Sequence, residues 1–195
     1  MKILTVFALQ EETQGLFDQS FNDNKIIYTG VGKVNASYHL TKEIGINRPD
    51  IIINIGTAGS KVFNYGEIVL CEKFIQRDMI ATVFGYEPFV TPSDSIPQIL
   101  EYPSGFVRHF ENYGICGTGD TFETNIVGDE LYNVVDMEGF ALAKVAFLEK
   151  IPFICIKFIS DGADNNAPQS WSECLVIGAK KMREAYDGII ERINE

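Results

Sequence analysis

Short runs of β-branched and aliphatic residues recur along this chain, and segments of helical period stand between several of them. Residues 3–7, 26–29, 51–55, 67–71, 113–116, 134–135 and 153–159 read as strands. Residues 34–44 and 139–148 read as helices, and the clearest helix is the last. There Trp171, Cys174, Leu175, Gly178, Ala179, Met182, Tyr186, Ile189, Ile190 and Ile193 fall on one face at three- and four-residue steps, with charged residues opposite. Such alternation confines the chain to the α/β class: a three-layer α/β/α sandwich around a largely buried central sheet. With 195 residues, no internal repeat and no linker, residues 1–195 read as a single domain, large enough for a real core.

Composition removes several function classes. A formal net charge of −11 with no basic run argues against nucleic acid and anionic membrane as partners. Apolar residues at 46% and charged residues at 22% exclude disordered and fibrous classes. No apolar run approaches the ~20 residues that span a bilayer. The segment 1–9 has the look of a short signal peptide, but it runs straight into Gln10-Glu11-Glu12 without a small-residue cleavage pattern. Cys71, Cys116, Cys155 and Cys174 form no C-x-x-C, and the histidines are only His39 and His109, so a structural zinc site is not expected. The cysteines read as buried small hydrophobes in a reducing compartment, and the chain as cytoplasmic.

One segment breaks the alternation. Pro88, Pro92, Pro97 and Pro103, four of the seven prolines, fall between Glu87 and Gly105 and predict a long loop or flap. Three glycine-bearing turns follow strands. Gly30-Val31-Gly32-Lys33 is not a P-loop, because Ile27 and Val34 stand where a glycine and a hydroxyl are needed, and Asn35 denies it a dinucleotide fingerprint. Gly56-Thr57-Ala58-Gly59-Ser60 and Gly117-Thr118-Gly119-Asp120-Thr121-Phe122 carry small residues that let a ligand approach the backbone. Three such turns at strand ends predict a pocket.

Carboxylates fall at the same places. Glu11-Glu12 follows the first strand, Asp136-Met137-Glu138-Gly139 joins a strand to a helix, and Ser160-Asp161-Gly162-Ala163-Asp164 ends an apolar strand. Taken singly, each reads as helix-terminal charge or a turn aspartate. Taken together, acids at three strand ends suit glycosyl chemistry, in which carboxylates bind hydroxyls, activate water and protonate a leaving group.

These residues, in this order, resemble the purine nucleoside phosphorylase superfamily, and within it the 5′-methylthioadenosine/S-adenosylhomocysteine nucleosidases. Ala8-Leu9-Gln10-Glu11-Glu12 is similar to the family's first-strand acidic motif, Gly30-Val31-Gly32-Lys33-Val34 to its G-[IV]-G-K-V turn and Asn54-Ile55-Gly56-Thr57-Ala58-Gly59 to N-T-G-[ST]-A-G. Phe84-Gly85-Tyr86, Gly119-Asp120-Thr121-Phe122, Met137-Glu138-Gly139 and Ser160-Asp161-Gly162-Ala163-Asp164 complete the series. The resemblance implies a nucleoside phosphorylase-like fold with a mixed sheet, and hydrolysis of the N-glycosidic bond. It makes Glu12 the base that activates water and Asp161, oriented by Ser160, the donor to purine N7. Met137 and Glu138 would hold the ribose hydroxyls, Phe122 would stack on the base, and Thr57 and Gly59 would line the floor under the sugar. Glu123 would read the base edge through its backbone, Trp171 would close over the ligand, and Phe84 would reach into the neighbouring site of a homodimer. No metal or organic cofactor is implied.

An aspartate donates a proton at neutral pH only from a desolvated pocket. Phosphate as the nucleophile would need cations or a backbone nest. No arginine precedes Arg48, and Glu11 and Glu12 would repel phosphate, so the sequence favours water. Several positions depart from the family pattern. Lys157 stands for an arginine, Arg77-Asp78 for a His-Asp pair, Asp136 for a glutamate and Glu123 for an apolar residue, and the segment between Phe84 and Gly119 is short. Those departures leave open a nucleosidase for another purine nucleoside or nucleotide (5′-deoxyadenosine, AMP or a futalosine-like compound) or an inert nucleoside-binding protein.

Overall fold

The computed structural model describes residues 1–17, 24–102, 110–123, 131–163 and 167–193, with side chains in the last stretch from Cys174 onward. In chain order the elements are β1 (Ile3–Phe7), β2 (Lys25–Tyr28), α1 (Lys33–Ile46), β3 (Ile51–Gly59), β4 (Ile68–Gln76), β5 (Leu100–Glu101), β6 (Tyr113–Thr118), β7 (Val134–Asp136), α2 (Gly139–Leu148), β8 (Phe153–Asp161) and α3 (Ala167–Ile193). Single 3-10 turns lie at Gln10–Thr13 and Thr82–Phe84.

Every residue of β1 and β8 is buried, as expected of strands covered on both faces. The sheet is mixed. β1 runs parallel to β2 and β3, β3 parallel to β8, and β6 parallel to β4 and β7. β4 runs antiparallel to β5 and β8. β7 returns to β3 through one antiparallel pairing, Gly59 with Val135, so β3, β8, β4, β6 and β7 close on themselves. That closure brings the ends of β3, β7 and β8 to one place. Between Ala58 and Gly59 the β3–β8 register shifts, Ala58 pairing Ile159 and Gly59 pairing Asp161. Ser160 is thereby the extra residue, and such bulges re-aim the side chains beside them.

Apolar residues form two buried clusters. One gathers Ala36 and Leu40 of α1 with Phe140, Leu142, Ala143 and Ala146 of α2 against the sheet. The other gathers Cys174, Met182, Tyr186 and Ile189 of α3, the stripe read from its periodicity, with Phe7, Phe17 and Phe158. Phe17 stands edge-on to Phe7 at 4.8 Å and to Tyr186 at 5.7 Å between ring centroids. This packing fixes the segment after β1, including the Gln10–Thr13 turn, against α3. All four cysteines are buried free thiols.

Two expectations change. Gly56-Thr57-Ala58-Gly59 is strand, not loop, because β8 pairs it throughout, and Gly117-Thr118 likewise belongs to β6. The proline-rich segment, described to residue 102, is pinned rather than free: Phe89 and Ile96 are buried and β5 pairs β4.

Candidate active site

A cleft of about 260 Å³ opens where β3, β7 and β8 end. Glu12 enters it from the 3-10 turn after β1 and is 3% exposed. Its Oε1 accepts from Thr57 N–H at 2.8 Å and from Thr57 Oγ1 at 2.9 Å, and its Oε2 from Leu9 N–H at 3.1 Å. Three donors on one carboxylate hold it in a single orientation. A Cβ at Gly56 would lie 3.2 Å from Oε1, so the glycine leaves room for the acid.

Asp161 closes β8. Ser160 Oγ donates to its Oδ2 at 2.7 Å, and Ala163 N–H to its Oδ1 at 2.8 Å. Ala163 reaches back by adopting a left-handed backbone, φ 47°. A Cβ at Gly59 would stand only 2.6 Å from Asp161 Oδ1, which explains why glycine occupies that strand position.

Glu138 lies between β7 and α2, and its Oε1 accepts from Gly32 N–H at 2.8 Å. Burial, reinforced by the nearby Asp136 charge, pushes its carboxyl up to about 8, against the opposing pull of Lys157 and the Gly32 N–H. Beneath it Lys157 Nζ meets Asp136 Oδ2 at 2.7 Å, both side chains being out of solvent. Thr118 Oγ1 and Gly139 N–H also donate to Asp136, at 2.6 and 2.7 Å. Burial works against both charges. The pairing outweighs it, holding Asp136 below the usual carboxylate range and Lys157 well above the usual ammonium range.

On the opposite wall Arg77 follows β4. It donates to Glu123 Oε2 at 3.0 Å, to Thr121 Oγ1 at 3.2 Å and to Thr121 O. A Cβ at Gly119 would press within 2.9 Å of the guanidinium carbon. Arg77 therefore organises the 119–123 turn that presents Phe122, a ring half exposed at the cleft wall.

Of the residues singled out from sequence, Glu12, Thr57, Gly59, Phe122, Glu123, Met137, Glu138, Ser160 and Asp161 all line this cleft. Phe84 does not: it stands 78% exposed on the Thr82–Phe84 turn. The Trp171 side chain and Asp164 lie outside the described residues. In the sequence Arg77 and Lys157 stand out only as departures from the family pattern, and Asp136 only as a strand-end carboxylate and a departure, with no role given to any of the three. The usable signal was Lys157 itself, a cation inside an apolar strand, which demands a buried partner.

The arrangement offers hydrogen-bond acceptors on several sides of a nucleoside-sized space. Arg77, at its wall, and Lys157, buried beneath it, are each engaged by a carboxylate.

A family model described as Phosphorylase superfamily matches residues 24–191. The 5′-methylthioadenosine/S-adenosylhomocysteine nucleosidase of Haemophilus influenzae (strain PittGG) is 30% identical over 201 residues, covering 91% of this chain and 86% of that protein. The nucleosidase of the same name from Buchnera aphidicola subsp. Schizaphis graminum is 33% identical, covering 87% and 79%. Among solved structures, S-adenosylhomocysteine nucleosidase from Streptococcus pyogenes, in complex with 5-methylthiotubericidin, superposes with a TM-score of 0.85 at 23% identity, covering 98% of this chain and 96% of that one. A futalosine hydrolase mutant of Helicobacter pylori superposes at 0.87 with 20% identity, covering 98% and 99%.

Proposed function

The chain belongs to the phosphorylase superfamily and, within it, to the 5′-methylthioadenosine/S-adenosylhomocysteine nucleosidases, and from that membership we propose that it is an N-glycosyl hydrolase releasing adenine from 5′-thio-substituted adenosines. The observation that carries the reading is the convergence of Glu12, Glu138 and Asp161 on one cleft. Water, not phosphate, is the nucleophile: Arg77 at the cleft wall and Lys157 buried beneath it are both committed to carboxylates, and the remaining acids would repel an anion.

Glu12 takes a proton from water as the oxygen attacks the anomeric carbon. The carbon–N9 bond breaks and its electron pair passes into the purine. Asp161 donates a proton at N7, so the base departs neutral. Ser160 and Ala163 N–H fix the orientation of that acid. Glu138, with Met137 beside it, holds the ribose hydroxyls and orients the sugar between the two acids. Phe122 stacks on the base, Thr57 and Gly59 floor the sugar subsite and Glu123 stands at the base edge; the family resemblance gives Trp171 the part of closing over the ligand. The products are adenine and the 5′-substituted ribose.

The whole chain acts as one domain, a three-layer α/β/α sandwich supported by the two apolar clusters on α1–α2 and on α3. It works as a homodimer in the cytoplasm. Val34, Tyr38 and Leu148 form an apolar surface over α1 and α2, and exposed Phe84 is the side chain that reaches the second subunit's cleft. Among the described residues no helix is long and apolar enough to cross a membrane.

The test is chromatographic detection of free base from methylthioadenosine, S-adenosylhomocysteine, adenosine and inosine, each with and without phosphate. Phosphate-independent release of adenine with free sugar is expected. Release that requires phosphate and yields a sugar 1-phosphate overturns the hydrolytic reading, and no release from any substrate overturns the enzyme reading for these nucleosides.

A further inference from the structure

Glu138 is positioned by a residue far away in sequence. The Gly32 N–H that it accepts belongs to the head of α1, and Gly32 sits at φ 94°, a conformation open to glycine. The residue after it, Lys33, is fastened twice. Its N–H donates to Asp120 Oδ1 at 2.8 Å. Its ammonium meets both Asp78 oxygens, at 2.5 and 2.6 Å, with Asp120 Oδ2 at 3.5 Å. Asp78 Oδ2 in turn accepts from Asp120 N–H at 2.9 Å.

Three chain segments are thus joined at one cation: the head of α1, the exit of β4 and the exit of β6. A Cβ at Gly32 would lie 3.2 Å from Asp120 Oδ1, so the aspartate packs directly on the glycine whose N–H faces Glu138. Lys33, Asp78 and Asp120 do not line the cleft. The lysine side chain is only 15% exposed, and Asp78 and Asp120 flank it, so its removal would leave two like charges facing each other. The Gly-Val-Gly-Lys turn therefore directs its lysine onto two carboxylates of its own chain.

We infer that Lys33, Asp78 and Asp120 form a latch that sets the place of the Gly32 N–H, and through it Glu138, so that residues outside the cleft govern recognition of the ribose hydroxyls. This rests on the proposed role of Glu138 as the residue holding those hydroxyls. Lys33, Asp78 and Asp120 are positioning residues: none of them reaches the sugar. A latch that merely stabilised the fold would weaken every ligand alike. A latch that acts through Glu138 weakens only ligands whose hydroxyls Glu138 holds.

The experiment uses formycin A, an adenine-type C-nucleoside whose carbon–carbon link does not hydrolyse, and its 3′-deoxy analogue. Each is titrated calorimetrically into the native protein and into Lys33→Met, Asp120→Ala and Lys33→Arg variants. The native protein is expected to bind formycin A at least tenfold more tightly than the deoxy analogue. In Lys33→Met and Asp120→Ala that ratio falls severalfold while the affinity for the deoxy analogue holds, and Lys33→Arg restores most of it. Amide hydrogen exchange over residues 30–33 accelerates in the first two variants, which reports the loosened segment without any ligand. An unchanged ratio, or equal losses for both ligands, overturns the latch while leaving Glu138 in its role. A native protein that binds the two ligands equally overturns the role of Glu138 and the latch with it.

Discussion

Lys157 Nζ lies 2.7 Å from Asp136 Oδ2, and neither side chain meets solvent. The two are 21 positions apart in the chain, one in β8 and one at the end of β7, yet together they form the charged floor under the cleft. Removing one partner of a buried pair strands the other charge, which typically costs about 3–5 kcal/mol. Lys157→Met is therefore expected to lower the melting temperature by roughly 10 °C or more. Adding Asp136→Asn removes the stranded charge while keeping an acceptor for Thr118, so the double variant should melt above Lys157→Met alone. Thermal melts of the three proteins decide it; a double variant no more stable than the single one would show that the charge is not the cause.

Asp161→Asn isolates the group proposed as proton donor. Asparagine keeps an acceptor for the Ala163 N–H, so the turn after β8 should survive. Loss of general acid catalysis costs on the order of 10²–10⁴ in rate. Turnover of methylthioadenosine should fall by that much, with the melting temperature nearly unchanged. A rate within threefold of the native protein would remove Asp161 from the role of acid.

Much of this architecture is legible in the sequence, and the parts that are not share a cause. The apolar runs announced β1 and the buried part of β8, and the periodicity of α3 gave its buried face, because burial on one stripe or on both faces leaves a local pattern. The ends of β3 and β6 were hidden. Gly56-Thr57-Ala58-Gly59 has the composition of a loop, and only its pairing with β8 makes it strand. The acids Glu12, Glu138 and Asp161 could be singled out because each lies at or just beyond the end of a strand. Arg77 with Glu123 and Asp136 with Lys157 could not, since which charges meet is decided by strand order and not by spacing.

Gly59→Ala tests how tightly the floor is built around the acid. The new Cβ would stand 2.6 Å from Asp161 Oδ1, 3.1 Å from Ala163 Cβ and 3.2 Å from Val135 Cγ2. Something must move, and the carboxylate, a side-chain end, moves more easily than the two strands. If Asp161 is the acid proposed, a displacement of about 1 Å can cost on the order of 10²-fold. The variant should fold, and should lose kcat more than it raises KM. Native-like kcat with a collapsed melting temperature would mean that the strands yield instead of the acid.

Glu138 gives the protein a pH dependence whose sign follows from its environment. Burial and the Asp136 charge raise its carboxyl from an ordinary 4.5 to about 8 in the folded state. Below the ordinary value both folded and unfolded chains carry the proton, and the full stabilising effect of the neutral acid is present. Between the two values the unfolded chain has lost its proton and the folded one retains it, so stability falls as pH rises through this window, until the folded carboxyl also ionises near 8. Glu138→Gln removes that titration while leaving the Gly32 N–H an acceptor and the Asp136–Lys157 pair intact. Across pH 5 to 8 the native protein should lose melting temperature relative to Glu138→Gln by on the order of 5 °C. Parallel curves for the two proteins would mean that Glu138 ionises in the folded state at its ordinary value. Ligand sharpens the reading: on the proposed role of Glu138, a ribose hydroxyl donates best to the ionised carboxylate, so nucleoside binding should draw a proton off Glu138 and release it to solvent. Calorimetric titration near pH 7 in buffers of different ionisation enthalpy measures that release, which should vanish in Glu138→Gln.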